Sequence, residues 1–155
     1  MPDKATVERA KKDLRDGKSD STAAGEFVHE ELEHIREGAH GARSSKQAIA
    51  IGLSKARRAG VPLKPPTKEQ ATARTRRSAK QDLEVGQQER KPRAPSKKRS
   101  KATQGALKRE GRQAASKQAL SAQAKNASRK RTTTARKASA RKAAATRKAT
   151  SRARG

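Results

Sequence analysis

Two groups of residues in this chain have types and spacings that chemistry can use. The first is His29-Glu30-Glu31-Leu32-Glu33-His34. A zinc-protease helix needs His at i and i+4 on one face, with Glu at i+1 to activate water. Here position i+4 is Glu33 and the second His falls at i+5, so the motif fails. His29 shares a helical face with Glu33, and Glu30 shares one with His34 and Glu37, which supports adventitious metal contact at most. The expectation is a solvated acidic face, with no metal site and no cofactor. The sequence has no phosphate-binding glycine loop, no Gly-x-Ser-x-Gly elbow, no plausible triad and no cysteine, so catalysis is not expected.

The second group is cationic. After Glu110 there is no acidic residue, against 14 basic ones: Arg112, Lys117, Lys125, Arg129, Lys130, Arg131, Arg136, Lys137, Arg141, Lys142, Arg147, Lys148, Arg152 and Arg154. A run of cations without anions attracts polyanions by releasing their condensed counterions. If about ten phosphates were neutralised, affinity for duplex DNA would fall with salt at a log–log slope of roughly −9. The chain has no Trp, no Tyr and one Phe, so stacking platforms for single strands are missing. Such a segment neutralises phosphate and does not read bases. A membrane surface also attracts cations, but it needs an apolar face or a lipidation site, and neither is present.

Composition bounds what can position these groups. The 155 residues carry 41 Lys+Arg against 15 Asp+Glu, a net charge of +26. Ile, Leu, Val and Phe number only 15, and 30 of the residues counted as hydrophobic are Ala. Burying an alanine methyl stabilises far less than burying a leucine, while ordering each residue still costs about 1–2 kcal/mol. A large core is excluded, and the expected class is all-α with extensive disorder. The charge is uneven: residues 1–60 hold 12 basic and 10 acidic groups, residues 61–155 hold 29 and 5. That divides the chain into a small helical head (1–62), a Pro-led linker with a polar helix (63–88) and a basic, Ala-rich tail (89–155), disordered or helical only on binding.

In the head, Val7, Ala10 and Leu14 with Gly17 as stop predict a first short helix. A second should begin near Ser21 or Thr22 and end at Gly38, with Val28, Leu32 and Ile35 as its apolar stripe. Its polar face would be Glu30, Glu31, Glu33 and Glu37, a candidate protein-docking surface. Ser44 with Gln47 has the capping-box spacing and opens a third helix through Ala48, Ile49, Leu53 and Ala56, closed by Gly60 and Pro62. Helices two and three form a helix-turn-helix-like hairpin over a core of Phe27, Val28, Leu32, Ile35, Ile49, Ile51 and Leu53. Thr67 with Gln70 should open a polar helix to about Val85, and Pro92 and Pro95 mark a basic linker. As a recognition helix, the third would present Ser44, Ser45, Lys46, Gln47, Lys55, Arg57 and Arg58 to DNA. The tail, with no apolar stripe and strong self-repulsion, is expected to be mostly unfolded when free, its Arg-Lys doublets pointing to different sides.

Two resemblances follow from particular segments. Arg136-Lys137-Ala138-Ser139-Ala140-Arg141-Lys142-Ala143-Ala144-Ala145 looks like the tails of linker histones and bacterial histone-like proteins. Ala24-Gly25-Glu26-Phe27-Val28, Glu33-His34-Ile35-Arg36-Glu37-Gly38 and the whole of Ser45 to Val61 resemble a proteobacterial family with a domain of unknown function, over roughly residues 1–120. Its members tend to carry basic tails, which implies a modular head and no activity transferable to single residues. No secretion signal opens the sequence, so cytoplasm and nucleoid are the expected setting. The combined expectation is a histone-like, nucleoid-associated protein that binds and compacts DNA without sequence preference. RNA or ribosome association, and an adaptor whose head binds protein while the tail anchors it, are the alternatives. Oligomeric state is open.

Overall fold

The computed structural model describes residues 2–92, 94 and 96–152, leaving out the side chains of Thr146 and of residues 148–152. Among the described residues all regular structure is helical, in seven α-helices: α1 Lys4–Arg15, α2 Asp20–Glu37, α3 Ser45–Arg58, α4 Ala73–Gly86, α5 Lys97–Arg109, α6 Lys117–Arg129 and α7 Thr133–Arg152. A short 3-10 turn, Gln113–Ala115, precedes α6. The chain divides into two compact units, Met1–Ala119 and Leu120–Gly155.

Local chemistry sets the helix ends. The hydroxyls of Ser19, Ser44 and Thr72 each accept from the amide three residues on, and so do those of Ser116 and Thr132. Each satisfies one of the amides that a helix N-terminus leaves bare. At the other end of α2, Gly38 takes φ +86°. The Gly38 and Ala39 amides then return to the carbonyls of Ile35 and His34. This is a Schellman closure, and α1 and α3 end the same way at Gly17 and Gly60.

Three helix boundaries or states differ from expectation. α2 begins at Asp20, one residue before Ser21, because Ser19 supplies the cap. α4 begins at Ala73, not at Thr67: Thr67 and Gln70 close a separate turn through Gln70 N–H to the Thr67 carbonyl, and Thr72 caps the helix. The expected disorder of the tail is not seen in the described residues, where α6 and α7 are helical. High alanine, lysine and arginine content favours that state locally. Pro95, expected as a linker signal, lies outside the described residues.

The core is built mainly from small residues. Phe27, Ile35 and Leu32 are buried as expected, but Val28, Ile49, Ile51 and Leu53 are only partly covered. Their places are taken by Ala10, Ala23, Ala24, Ala48, Ala56 and Val61. α2 packs on both α1 and α3, and α4 on α3. Small side chains let these helices approach closely. At Gly52 a Cβ would stand 2.7 Å from the Val28 Cα and 3.0 Å from the Phe27 carbonyl oxygen. At Gly86 a Cβ would overlap the Arg57 carbonyl, so α4 ends directly against the last turn of α3.

The expected boundary at residue 89 does not separate head from tail. Gly41 N–H donates to the Leu107 carbonyl and Ala42 N–H to that of Gly111. The Ser45 hydroxyl donates to the Ala114 carbonyl at 2.5 Å, and the Arg36 guanidinium to that of Ala115 at 3.1 Å. Ala114 and Ala115 are buried against α2 and α3. Residues 107–115 are therefore part of the first unit.

Candidate nucleic-acid interface and the buried carboxylates of the head

The expected phosphate contacts fall into two sets with different surroundings. In the second unit, Lys125, Arg129, Lys130, Arg131, Arg136, Lys137, Arg141, Lys142 and Arg147 are exposed. At about 100° per residue, Arg136, Lys137, Arg141 and Arg147 of α7 occupy an arc of roughly 140°, with Lys142 about 100° beyond it. Helical geometry thus gathers four of these five α7 charges to one side, where doublets at irregular spacing suggest scatter. The backbones of Lys148 and Arg152 continue α7, but their side chains, and all of Arg154, lie outside the described residues. In the first unit, Lys117 is exposed, and so is Arg112, whose guanidinium reaches the Arg36 carbonyl at 3.4 Å.

Most of the α3 residues expected to contact DNA are engaged within the fold. Ser44 and Gln47 are engaged in capping, with the Gln47 side chain accepting from Arg43 N–H at 2.9 Å. Ser45 is buried under Ala114. Arg57 is 7% exposed and donates to the carbonyls of Leu53, Leu63 and Lys64. Burial pushes its pKa below the ordinary arginine value, and Asp82 partly offsets the effect. The guanidinium thus holds the chain after α3 in place and is withdrawn from any ligand. Arg58 pairs with Asp82 at 2.7 Å, and Asp82 also accepts from Ser54 at 2.6 Å, tying α4 to α3. Lys55 faces inward. Of the seven residues, only Lys46 is exposed with no partner among the described residues.

Lys55 turns toward carboxylates that were expected in solvent. Glu30 is 3% exposed and Glu31 0%, whereas Glu33 and Glu37 are on the surface. The expected acidic docking face of α2 is therefore halved. Lys55 Nζ lies 2.7 Å from Glu31 Oε2 and 3.5 Å from Glu30 Oε1. Glu30 also accepts from the Asp3 amide at 3.1 Å. Burial pushes the Glu30 carboxyl up, but the Thr6 hydroxyl, the Asp3 amide and Lys55 together outweigh it and hold the carboxyl below its ordinary value. Glu31 is less well served: neither of its oxygens has a hydrogen-bond partner of good geometry. His40 Nε2 stands 3.5 Å from Glu31 Oε1, and His34 lies one turn along the same helix. The sequence did hold a signal for this burial: Glu31 lies four residues from both Phe27 and Ile35, on the most deeply buried stripe of α2.

Residues 19–69, a third of the chain, match a family of unknown function, DUF6496. This is the region of α2, α3 and the strap after α3, a narrower span than the expected 1–120. No curated protein and no solved structure shows a significant match. Among the described residues no helix is long and apolar enough to cross a membrane.

Proposed function

We propose that this protein binds nucleic acid through phosphate neutralisation without reading sequence, and compacts duplex DNA as a bacterial, histone-like, nucleoid-associated protein. The observation that carries this reading is the run after Glu110, with 14 cations, no anion and no aromatic residue. The described cations of α6 and α7 are exposed, which supports direct access to a polyanion. An isolated helix as rich in like charge as α7 repels itself, and a bound phosphate lattice relieves that repulsion. Binding and helix stability are then coupled, and the helical state of 117–152 is the one that DNA stabilises. The withdrawal of Ser45, Lys55 and Arg57 from the surface of α3 favours nonspecific binding over sequence readout.

Gel shifts of the full chain, residues 1–119 and residues 120–155, on duplex DNA, duplex RNA and single strands at two salt concentrations, test the reading. Tight, sequence-independent and strongly salt-dependent binding of duplex DNA is expected. Failure of both the full chain and 120–155 to bind duplex DNA at low salt would overturn it. Preferential retention of structured RNA would move the assignment to an RNA- or ribosome-associated role.

A further inference from the structure

We propose that Glu31, His34 and His40 form a binding site for one divalent cation of the zinc class. The site lies within the helical head and is independent of the phosphate-binding reading. Glu31 and His34 are i and i+3 on the last turns of α2, so their side chains project to the same side. The left-handed turn at Gly38 reverses the chain and brings His40 back over them. One donor atom from each of the three lies within 4.8 Å of the other two.

The tautomer of His40 carries the argument. Its Nδ1 is 3.1 Å from the Gly41 carbonyl, and since a carbonyl only accepts, Nδ1 bears the hydrogen. In the neutral ring Nε2 then presents its lone pair, and it does so 3.5 Å from Glu31 Oε1. A lone pair facing a carboxylate is unfavourable unless a positive charge sits between them, either a second ring proton or a metal ion. Glu31 sharpens the demand: it is 0% exposed, and Oε1 has no hydrogen-bond donor. Its other oxygen is held by Lys55 at 2.7 Å, which leaves Oε1 as the coordinating atom.

The donor set and spacing select the ion. Two imidazoles and one carboxylate suit zinc and its neighbours, whereas magnesium and calcium want oxygen shells. Around a tetrahedral ion with bonds of about 2.0–2.1 Å, neighbouring donors stand roughly 3.3–3.4 Å apart. The Glu31–His40 separation of 3.5 Å already meets this. A hydrogen bond from the second imidazole nitrogen to a backbone carbonyl is the usual means of orienting a histidine ligand. The side chains of His34 and His40 are 29% and 21% exposed, so an ion can enter from solvent. Asp3, whose Oδ2 is 3.9 Å from His34 Nε2, is near enough to supply a fourth ligand after a small shift.

Zinc titration of the full chain by calorimetry, with cobalt(II) absorption as a second readout, tests the site. One equivalent per chain is expected, with visible cobalt bands of tetrahedral intensity. Glu31→Gln and His40→Gln should each weaken binding at least tenfold. His40→Gln, at a partly exposed position after α2, serves where Glu31→Gln fails to fold, and circular dichroism reports that distinction. His29→Gln, whose ring reaches only Glu33 at 3.3 Å, should bind as the parent does. No uptake at micromolar zinc would overturn the proposal. So would uptake undiminished in a folded His40→Gln, or a loss of uptake in His29→Gln equal to that in His40→Gln.

Discussion

Gly52 of α3 lies against the backbone of Val28 of α2, so close that an added Cβ would stand 2.7 Å from the Val28 Cα. The obstructing atoms are main chain and cannot rotate away, so Gly52→Ala must push two helices apart. We expect a loss of about 1–3 kcal/mol in urea unfolding. Gly25, in α2, is the control, since a Cβ added there would meet nothing within 4 Å. Gly25→Ala should be neutral or stabilising by up to about 1 kcal/mol, through helix propensity alone.

Arg57→Leu separates charge from structure. It leaves the Leu53, Leu63 and Lys64 carbonyls without their shared donor, and should cost about 2–3 kcal/mol of stability. The salt dependence of DNA binding should be unchanged. Replacing Arg129, Lys130 and Arg131 together by Gln should do the reverse, leaving stability intact and reducing the log–log salt slope by about 2–3.

Glu30 makes the acid limb of stability partly its own. A carboxyl whose folded pKa is depressed contributes stability that is complete above its unfolded value and is lost as pH falls through the folded value. With chelator present to exclude metal, Glu30→Gln should cost on the order of 1–2 kcal/mol at neutral pH. The gap between variant and parent should narrow below pH ~4.5. A gap constant from neutral pH into that acid range would show that the charge of Glu30 is not what matters.

Gly41→Ala should detach the segment after α5. A methyl there overlaps the Glu110 carbonyl, so the bonds from Gly41 and Ala42 to Leu107 and Gly111 cannot both survive. The measurement is trypsin cleavage at Lys108, Arg109 and Arg112, which should be faster in the variant while cleavage within α2 is unaltered. Equal rates at these three sites would mean that the segment is held by other contacts.

Much of the head was legible because its signals are local. Ser44, Gly17, Gly38 and Gly60 end helices by bonding within a few residues, and α3 is bounded where Ser44 and Arg58 suggest. The core is less legible in the sequence, because Ala23, Ala24, Ala48 and Ala56 fill it by close helix approach at Gly52, in place of large apolar side chains. Periodicity could place Glu31 on the buried stripe of α2, but not its partners Lys55 and His40, which come from other segments. Docking of Ala114 and Ala115 on α2 and α3 joins residues some 70 apart in the sequence, within a stretch whose composition reads as basic tail.

That docking redistributes the electrostatics. The unit ending at Ala119 contains 29 of the 41 cations and all 15 acids, a net of +14, while the residues beyond it carry +12. On the proposed function, a polyanion would meet two cationic modules on one chain, of nearly equal charge. Tethered modules convert a second encounter into an intramolecular one at high effective concentration. Avidity, and the joining of two duplex segments by a single molecule, would then require no dimer.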